Sequence, residues 1–201
     1  MDTHSTEPVI EIFREHGGIL RTGEAIELGI HPRDLYRLRD EGSIQALSRG
    51  VYRLTELPPL SDPDLVTVAL RIPRAVVCLV SALAFHELTE QIPHEVQIAL
   101  PRHTSTPVLE HPPLRVFRFS ESTRTVGVEE FDVDGVVVKV YSPAKSVVDC
   151  FRFRNKLGIE VAVDALRRWT QLEGAKPAEL VRLGRTCGVD RVMRPYLEAL
   201  Q

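Results

Sequence analysis

Residues 19–54 read ILRTGEAIELGIHPRDLYRLRDEGSIQALSRGVYRL, and this stretch decides the fold. Thr22 suits the N-cap of a helix through Leu28, with Gly29 as its stop and Ala25, Ile26 and Leu28 as its buried candidates. Ile30-His31-Pro32 opens a second helix, because proline fits the first helical position, where a missing N–H costs nothing. His31 stands at the cap and is a weak one by type. Ile30 before it and Leu35 four residues into the helix form a hydrophobic staple. Leu35 and Leu38 face inward. Arg33, Tyr36, Arg37 and Asp40 follow the i, i+3, i+4, i+7 spacing and share the outward face up to the stop at Gly42. Ile44–Leu47 and Val51–Leu54 then read as two strands around a turn at Ser48-Arg49-Gly50, with Arg49 at the tip. Two short helices about a tight turn, followed by a two-stranded ribbon, make the pattern of a winged helix-turn-helix, whose second helix enters a DNA major groove.

Working outward, residues 1–6 are expected to fray. Glu7-Pro8 starts a helix that His16-Gly17-Gly18 ends, and Ile19-Leu20 is a short extended step. Downstream, the proline-rich run from Leu57 to Pro63 reads as a stiff linker and marks a boundary between residues 1–57 and 62–201. Asp64–Leu70 and Ala75–Leu88 then read as helices, and Glu95–Leu100 and Leu114–Phe119 as strands flanking a loop rich in proline and histidine. Glu129–Val133 and Val136–Tyr141 form a hairpin, since Asp134-Gly135 suits a tight primed turn. Ser142 caps a helix running to Asn155, and further helices span Ile159–Leu172, Pro177–Gly188 and Asp190–Leu200. The second part is therefore an α+β domain with a small antiparallel sheet and a helical C-terminus.

Composition narrows the function classes. The three cysteines are far apart in apolar surroundings with no CxxC spacing, which argues for buried thiols rather than a disulfide framework or a zinc site. The first residues lack the basic-then-apolar order of a signal peptide, and no apolar run approaches the ~20 residues of a membrane span, so a cytoplasmic protein is expected. The net charge is −3. Residues 1–60 carry seven arginines against ten acids, and the remainder carries 18 charges of each sign. Neither part is globally basic, so a DNA reading rests on where the arginines point. Arg33 and Arg37 have the reach to read guanine edges, and Arg49 and Arg53 suit phosphates or a minor groove.

Catalytic patterns are sparse. Asp132 and Asp134 have the spacing of a metal-binding carboxylate pair, with Lys139 beyond them, and this is the best foothold for an enzyme acting on nucleotides or nucleic acid. No Gly-Ser precedes the pair, however, and Asp134 belongs to the Asp-Gly turn. Histidines 86, 94, 103 and 111 lack a metal-ligand spacing, since Glu90 stands where HExxH needs its second histidine. No phosphate-binding glycine loop and no GxSxG is present, and neither a cofactor nor a metal is expected. Phe151-Arg152-Phe153-Arg154-Asn155-Lys156 interleaves aromatics and bases, which fits a nucleic-acid contact, a plain amphipathic helix end or a protein docking patch. Lys145 sits in the first turn of a helix, where the dipole disfavours a cation. Either a carboxylate or anion partner holds it, or it is a solvated lysine whose stem covers apolar surface.

The segment from Gly18 to Leu54 resembles the N-terminal winged-helix domain of AbiEi-type antitoxins from type IV toxin–antitoxin systems. Gly29-Ile30, Leu35-Tyr36-Arg37-Leu38, Gly42 and Arg49-Gly50-Val51-Tyr52-Arg53-Leu54 carry the resemblance. Ser81-Ala82-Leu83, His86-Glu87-Leu88-Thr89, Val96–Pro101 and Tyr141-Ser142-Pro143-Ala144-Lys145-Ser146 with Val148-Asp149-Cys150 extend it to the longer members. The resemblance implies a non-enzymatic antitoxin that represses its own operon by binding inverted repeats in double-stranded promoter DNA. It also implies a C-terminal domain that counters a nucleotidyltransferase-like toxin. The residues expected at the DNA are Arg21, Thr22, His31, Arg33, Tyr36, Arg37, Arg49 and Arg53, and those expected on a partner surface are Lys145, Arg152, Arg154 and Lys156.

Overall fold

The computed structural model describes residues 6–200; residues 1–5 of the expected frayed end lie outside them. The first unit runs α1 (Glu7–Glu15), β1 (Ile19–Arg21), α2 (Thr22–Glu27), α3 (Pro32–Asp40), β2 (Ile44–Ser48) and β3 (Val51–Leu54). Ile19-Leu20-Arg21 is more than an extended step. It pairs antiparallel with β3, so the expected ribbon is a three-stranded sheet in the order β1-β3-β2. A three-residue strand has too little alternation to announce itself in sequence. Phe13, Leu20, Ala25, Ile30, Leu35, Leu38, Ile44, Tyr52 and Leu54 form one core beneath the helices, and both residues of the expected staple are in it. Ile26 and Leu28, expected in that core, are exposed instead. Arg21 rather than Thr22 is the N-cap of α2, and its backbone N–H is taken by Glu24 Oε2 at 2.8 Å.

The linker is tied at both ends. Arg53 donates its guanidinium hydrogens to the carbonyls of Leu57 and Pro58, and Asp134 Oδ2 accepts from the N–H and hydroxyl of Ser61 at 2.8 and 2.9 Å. Beyond it come α4 (Pro63–Arg71), β4 (Val76–Val77), α5 (Leu79–Phe85), β5 (Val96–Pro101), β6 (Leu114–Phe119), α6 (Glu121–Arg124), β7 (Val128–Val133) and β8 (Val136–Tyr141). Then follow α7 (Pro143–Arg152), α8 (Arg154–Leu157), α9 (Ile159–Thr170), α10 (Pro177–Cys187) and α11 (Asp190–Ala199). The five-stranded sheet has the order β6-β5-β4-β8-β7. Its β7–β8 hairpin and β4–β5 pair are antiparallel, and β5–β6 and β4–β8 add parallel pairs.

The expected helix over 75–88 opens with a two-residue strand and is helical only over Leu79–Phe85. Val76-Val77 enters the middle of the sheet, and α5 begins at Leu79, which takes a left-handed φ of 51°. An apolar run buried on every side fits a central strand as well as a helix, and the paired β-branched valines tip it. The helix expected to reach Asn155 breaks at Phe153, whose ring leaves the axis to pack edge-on against Phe117 and tilted against Phe119.

Strand alternation sends side chains to two layers. Ile98, Val138 and Val140 meet Leu65, Val66 and Val68 of α4 on one face. Ala99, Phe117, Phe119 and Tyr141 meet α5, α7, α9 and α10 on the other. Inside that second layer lies a charge. Lys145 and Asp149, one turn apart on α7, are both fully buried and paired with each other. The ammonium also sits 4.0 Å from the centroid of the Tyr141 ring and 5.0 Å from that of Phe119. Burial pushes the Asp149 carboxyl above the ordinary carboxylate range, and Lys145 opposes that push. Burial, reinforced by Asp149, also raises the thiols of Cys78, Cys150 and Cys187, which keeps them protonated and unreactive. The three free thiols are buried, as their apolar surroundings predict.

Gly127 seals this charge. It has φ of 69°, and a Cβ built there would come within 2.8 Å of the Lys145 Cβ. Gly127→Ala combines a left-handed alanine with overpacking against α7, and is expected to lower stability by roughly 2 kcal/mol or more. The check is the urea midpoint of the variant; an unchanged midpoint would contradict the close approach.

Candidate nucleic-acid interface

The outward face of α3 is built by its own inward face. Leu35 and Leu38 fix the helix against the core, which leaves Arg33, Tyr36 and Asp40 exposed and Arg37 partly so. His31 is a better cap than its type suggested: its Nδ1 accepts the Arg33 N–H at 3.1 Å, which requires that nitrogen to be unprotonated. The arginines differ in their freedom. Arg33 is exposed and has no carboxylate partner among the described residues. Arg37 is held by Asp34 at 3.0 Å and lies 3.9 Å from Glu41, both on its own helix side. Arg39, absent from the sequence expectation, lies over the Tyr36 ring at 5.4 Å and bonds Asp40 at 2.8 Å. Its signal was its place in the last turn of the helix, where an i+3 neighbour of Tyr36 stacks. The face is thus three guanidiniums about one half-exposed tyrosine, with Arg33 the one of the three that no carboxylate among the described residues holds.

The wing is less free. Arg49 is exposed at the tip, but its carbonyl accepts from the Arg71 guanidinium of α4, and Leu47 and Ile19 pack against the α4 core. Thr22 does not reach outward; its N–H and hydroxyl donate to the Gly50 carbonyl at 2.9 and 3.3 Å, fastening α2 to the turn of the wing. Gly50 holds that turn at φ of 76°, with Thr22 Oγ1 only 3.3 Å from where a Cβ would stand. Arg21 is partly exposed and lies 3.8 Å from Glu24. Arg53 is a correction: expected on the wing, it is 4% exposed, and its guanidinium serves the linker carbonyls. Every residue of β3 is buried, and the linker that follows it folds back so that its carbonyls take the Arg53 guanidinium. Arg71 joins Arg49 at the tip through tertiary contact alone, which no local pattern could announce.

The expected partner surface is also redrawn. Lys145 is buried in its pair with Asp149, so the carboxylate-partner reading holds and the surface reading does not. Arg152 is partly buried with its guanidinium carbon 5.4 Å from the Phe119 ring centroid, and Arg154 donates to the Phe151 carbonyl at 2.9 Å, closing the end of α7. Of the four, Lys156 alone is exposed. Asp132 and Asp134 do not make a carboxylate site. Asp132 accepts the Gly135 N–H at 2.9 Å, and Asp134, at φ of 54°, holds Ser61. Lys139 pairs across the hairpin with Glu130 at 3.9 Å. Among the described residues no three His, Cys, Asp or Glu side chains gather as metal ligands, and no helix is long and apolar enough to cross a membrane.

Residues 7–55 match a protein-family model described as "Transcriptional regulator, AbiEi antitoxin". The match covers the first unit, where α3 and the wing lie; the resemblance in Ser81–Thr89 and Tyr141–Cys150 falls outside it. No curated protein matches. Among solved structures, the crystal structure of the RV2827C protein from Mycobacterium tuberculosis is similar, with a TM-score of 0.57 at 16% identity. The similarity covers 100% of this chain and 83% of that one. At that identity the likeness is one of fold, and it extends through both units.

Proposed function

We propose that the chain is a cytoplasmic transcriptional autorepressor and antitoxin. The α3 face docks in the major groove of inverted repeats in its own promoter, and the C-terminal unit counters a nucleotidyltransferase-like toxin encoded nearby. One observation carries the DNA half: Arg33 stands exposed beside Tyr36 and without an acid partner among the described residues, on a helix whose other face is locked in the core of a segment that matches a transcriptional-regulator family. Arg49 and the neighbouring Arg71 supply phosphate contacts at the wing. His31, exposed at the start of α3, and Arg21, partly exposed at the start of α2, flank this face, and Thr22 fastens α2 to the wing.

The two halves separate in one experiment. A reporter driven by the chain's own promoter is combined with induction of the adjacent toxin gene. Wild-type protein is expected to repress the reporter and to restore growth, whereas Arg33→Ala is expected to lose repression and keep protection. Full repression by the Arg33 variant would contradict the DNA half, and growth arrest unrelieved by wild-type protein would contradict the antitoxin half.

A further inference from the structure

The five-stranded sheet ends at β7, and that end is open. Among the described residues β8 is its one strand neighbour, and no helix is packed along its outer edge. Register decides which backbone groups face outward. The Ser142 N–H donates to the Gly127 carbonyl at 2.7 Å, and directly opposed residues of an antiparallel pair alternate between bonded and non-bonded. Glu129, Phe131 and Val133 are therefore bonded to Val140, Val138 and Val136. Val128, Glu130 and Asp132 turn their N–H and C=O groups away from β8, and none of these groups has a backbone partner among the described residues. The side chains along this edge carry one sign. Glu129, Glu130 and Asp132 are exposed, and the strand holds no basic residue. Glu130 lies 3.9 Å from Lys139, Asp132 accepts the Gly135 N–H, and Glu129 has no cation partner among the described residues.

We infer that β7 is a docking edge for an extended basic segment of a protein partner, which joins the sheet as a further strand. Main-chain hydrogen bonds to Val128, Glu130 and Asp132 hold the segment, and its lysines or arginines answer the three carboxylates. Charge selects this occupant. Pairing with the β7 of a second copy would set carboxylate against carboxylate, which guards the edge against itself and leaves it complementary to a basic strand. The basic edge of a second copy, β6, has its cations engaged. Arg115 is bonded to Glu95 at 3.3 Å, and Arg118 to the Pro101 carbonyl and the Thr106 hydroxyl at 3.2 and 2.8 Å. The inference rests on neither the DNA reading nor the antitoxin reading.

The test is a titration of the full ¹⁵N-labelled chain with three acetylated and amidated peptides: Lys-Val-Lys-Val-Lys-Val, its Lys-Val-Lys-Pro-Lys-Val counterpart, and Glu-Val-Glu-Val-Glu-Val. With the first, saturable shifts and slowed hydrogen exchange are expected at the amides of Val128, Glu130 and Asp132. Exchange at Glu129, Phe131 and Val133 is expected to change little, because those N–H groups already bond β8. The proline peptide keeps the charge but loses a backbone donor and the extended fit, so it is expected to bind about tenfold weaker, and the acidic peptide not at all. Glu129→Lys combined with Glu130→Lys, both surface changes, is expected to weaken the first peptide about tenfold, the scale of two cross-strand charge pairs turned from attraction to repulsion. Sedimentation of the chain alone at rising concentration is expected to show no association that these two substitutions abolish. Unchanged exchange at the outward amides, a proline or acidic peptide binding as tightly as the first, or an unaffected double variant would overturn the proposal. Self-association lost in the double variant would give the edge to a second copy and overturn it equally.

Discussion

Arg33→Ala is expected to weaken binding to the promoter inverted repeats by roughly 1–3 kcal/mol while leaving stability within about 0.5 kcal/mol. The two halves of that expectation share one cause. Arg33 is exposed on α3 and bonds no acid among the described residues, so its removal unpairs none of them. On DNA the same freedom lets it form a bidentate contact with a guanine edge, whose loss has that magnitude. Arg37→Ala provides the internal contrast. Arg37 must leave Asp34, at 3.0 Å, to reach DNA, which reduces what its contact contributes. Its removal also turns Asp34 and Glu41 toward the phosphates unneutralised. The Arg37 variant should therefore bind worse in a way that grows as salt is lowered, because low salt lengthens the reach of that repulsion. Fluorescence anisotropy at several fixed salt concentrations reads both effects. An Arg33 variant with wild-type affinity would remove this residue from the interface.

Lys145→Ala is expected to be the more damaging change, with a loss of about 3–5 kcal/mol of stability. The truncation leaves Asp149 fully buried with no bonded cation; Arg152 acts on it only through space, and the Cys187 thiol at 4.0 Å is its remaining polar neighbour on another element. The sign of the pH dependence follows from burial. A carboxyl whose folded-state pKa is raised favours the folded state when protonated, and that advantage is lost as pH rises above its unfolded value. The variant should therefore be relatively more stable at the acid end, and its deficit should widen from mildly acidic to alkaline solution. Replacing both partners by apolar residues, Lys145→Met with Asp149→Leu, should recover most of the loss, since the paired charges bring their own desolvation cost. Urea denaturation across pH checks all three statements. A single variant as stable as wild type, or a double variant no better than the single, would contradict the burial of an ion pair in this core.

The winged unit was legible in sequence because its signals are local. Pro32, the Ile30–Leu35 staple and Gly42 place α3 within a residue or two, and helical spacing alone put Arg33 and Tyr36 outside. What sequence missed there needs a third dimension. Whether Arg53 meets water depends on the linker carbonyls of Leu57 and Pro58 folding back onto it, and whether Arg49 is alone depends on α4 bringing Arg71 beside it. In the second unit the Asp134-Gly135 hairpin and the Ser142-Pro143 cap were readable for the same local reason. The strand at Val76-Val77 was not, because complete burial erases the polar face that periodicity detects. Lys145 shows the limit most sharply. Its position in a first helical turn left an anion partner and a solvated lysine both open, and only the fold shows that the partner is Asp149 and that the pair is fully buried.

The most direct measurement of the central claim is an anisotropy titration of the full-length protein at fixed physiological salt. One duplex carries the inverted repeats of its own promoter, and the other the same bases scrambled. The α3 face as a base reader predicts a preference for the repeats of about 10³-fold or more. It further predicts that Arg33→Ala erodes this preference more than it erodes binding to the scrambled duplex. Equal affinity for the two duplexes, or an Arg33 variant with undiminished preference, would contradict it.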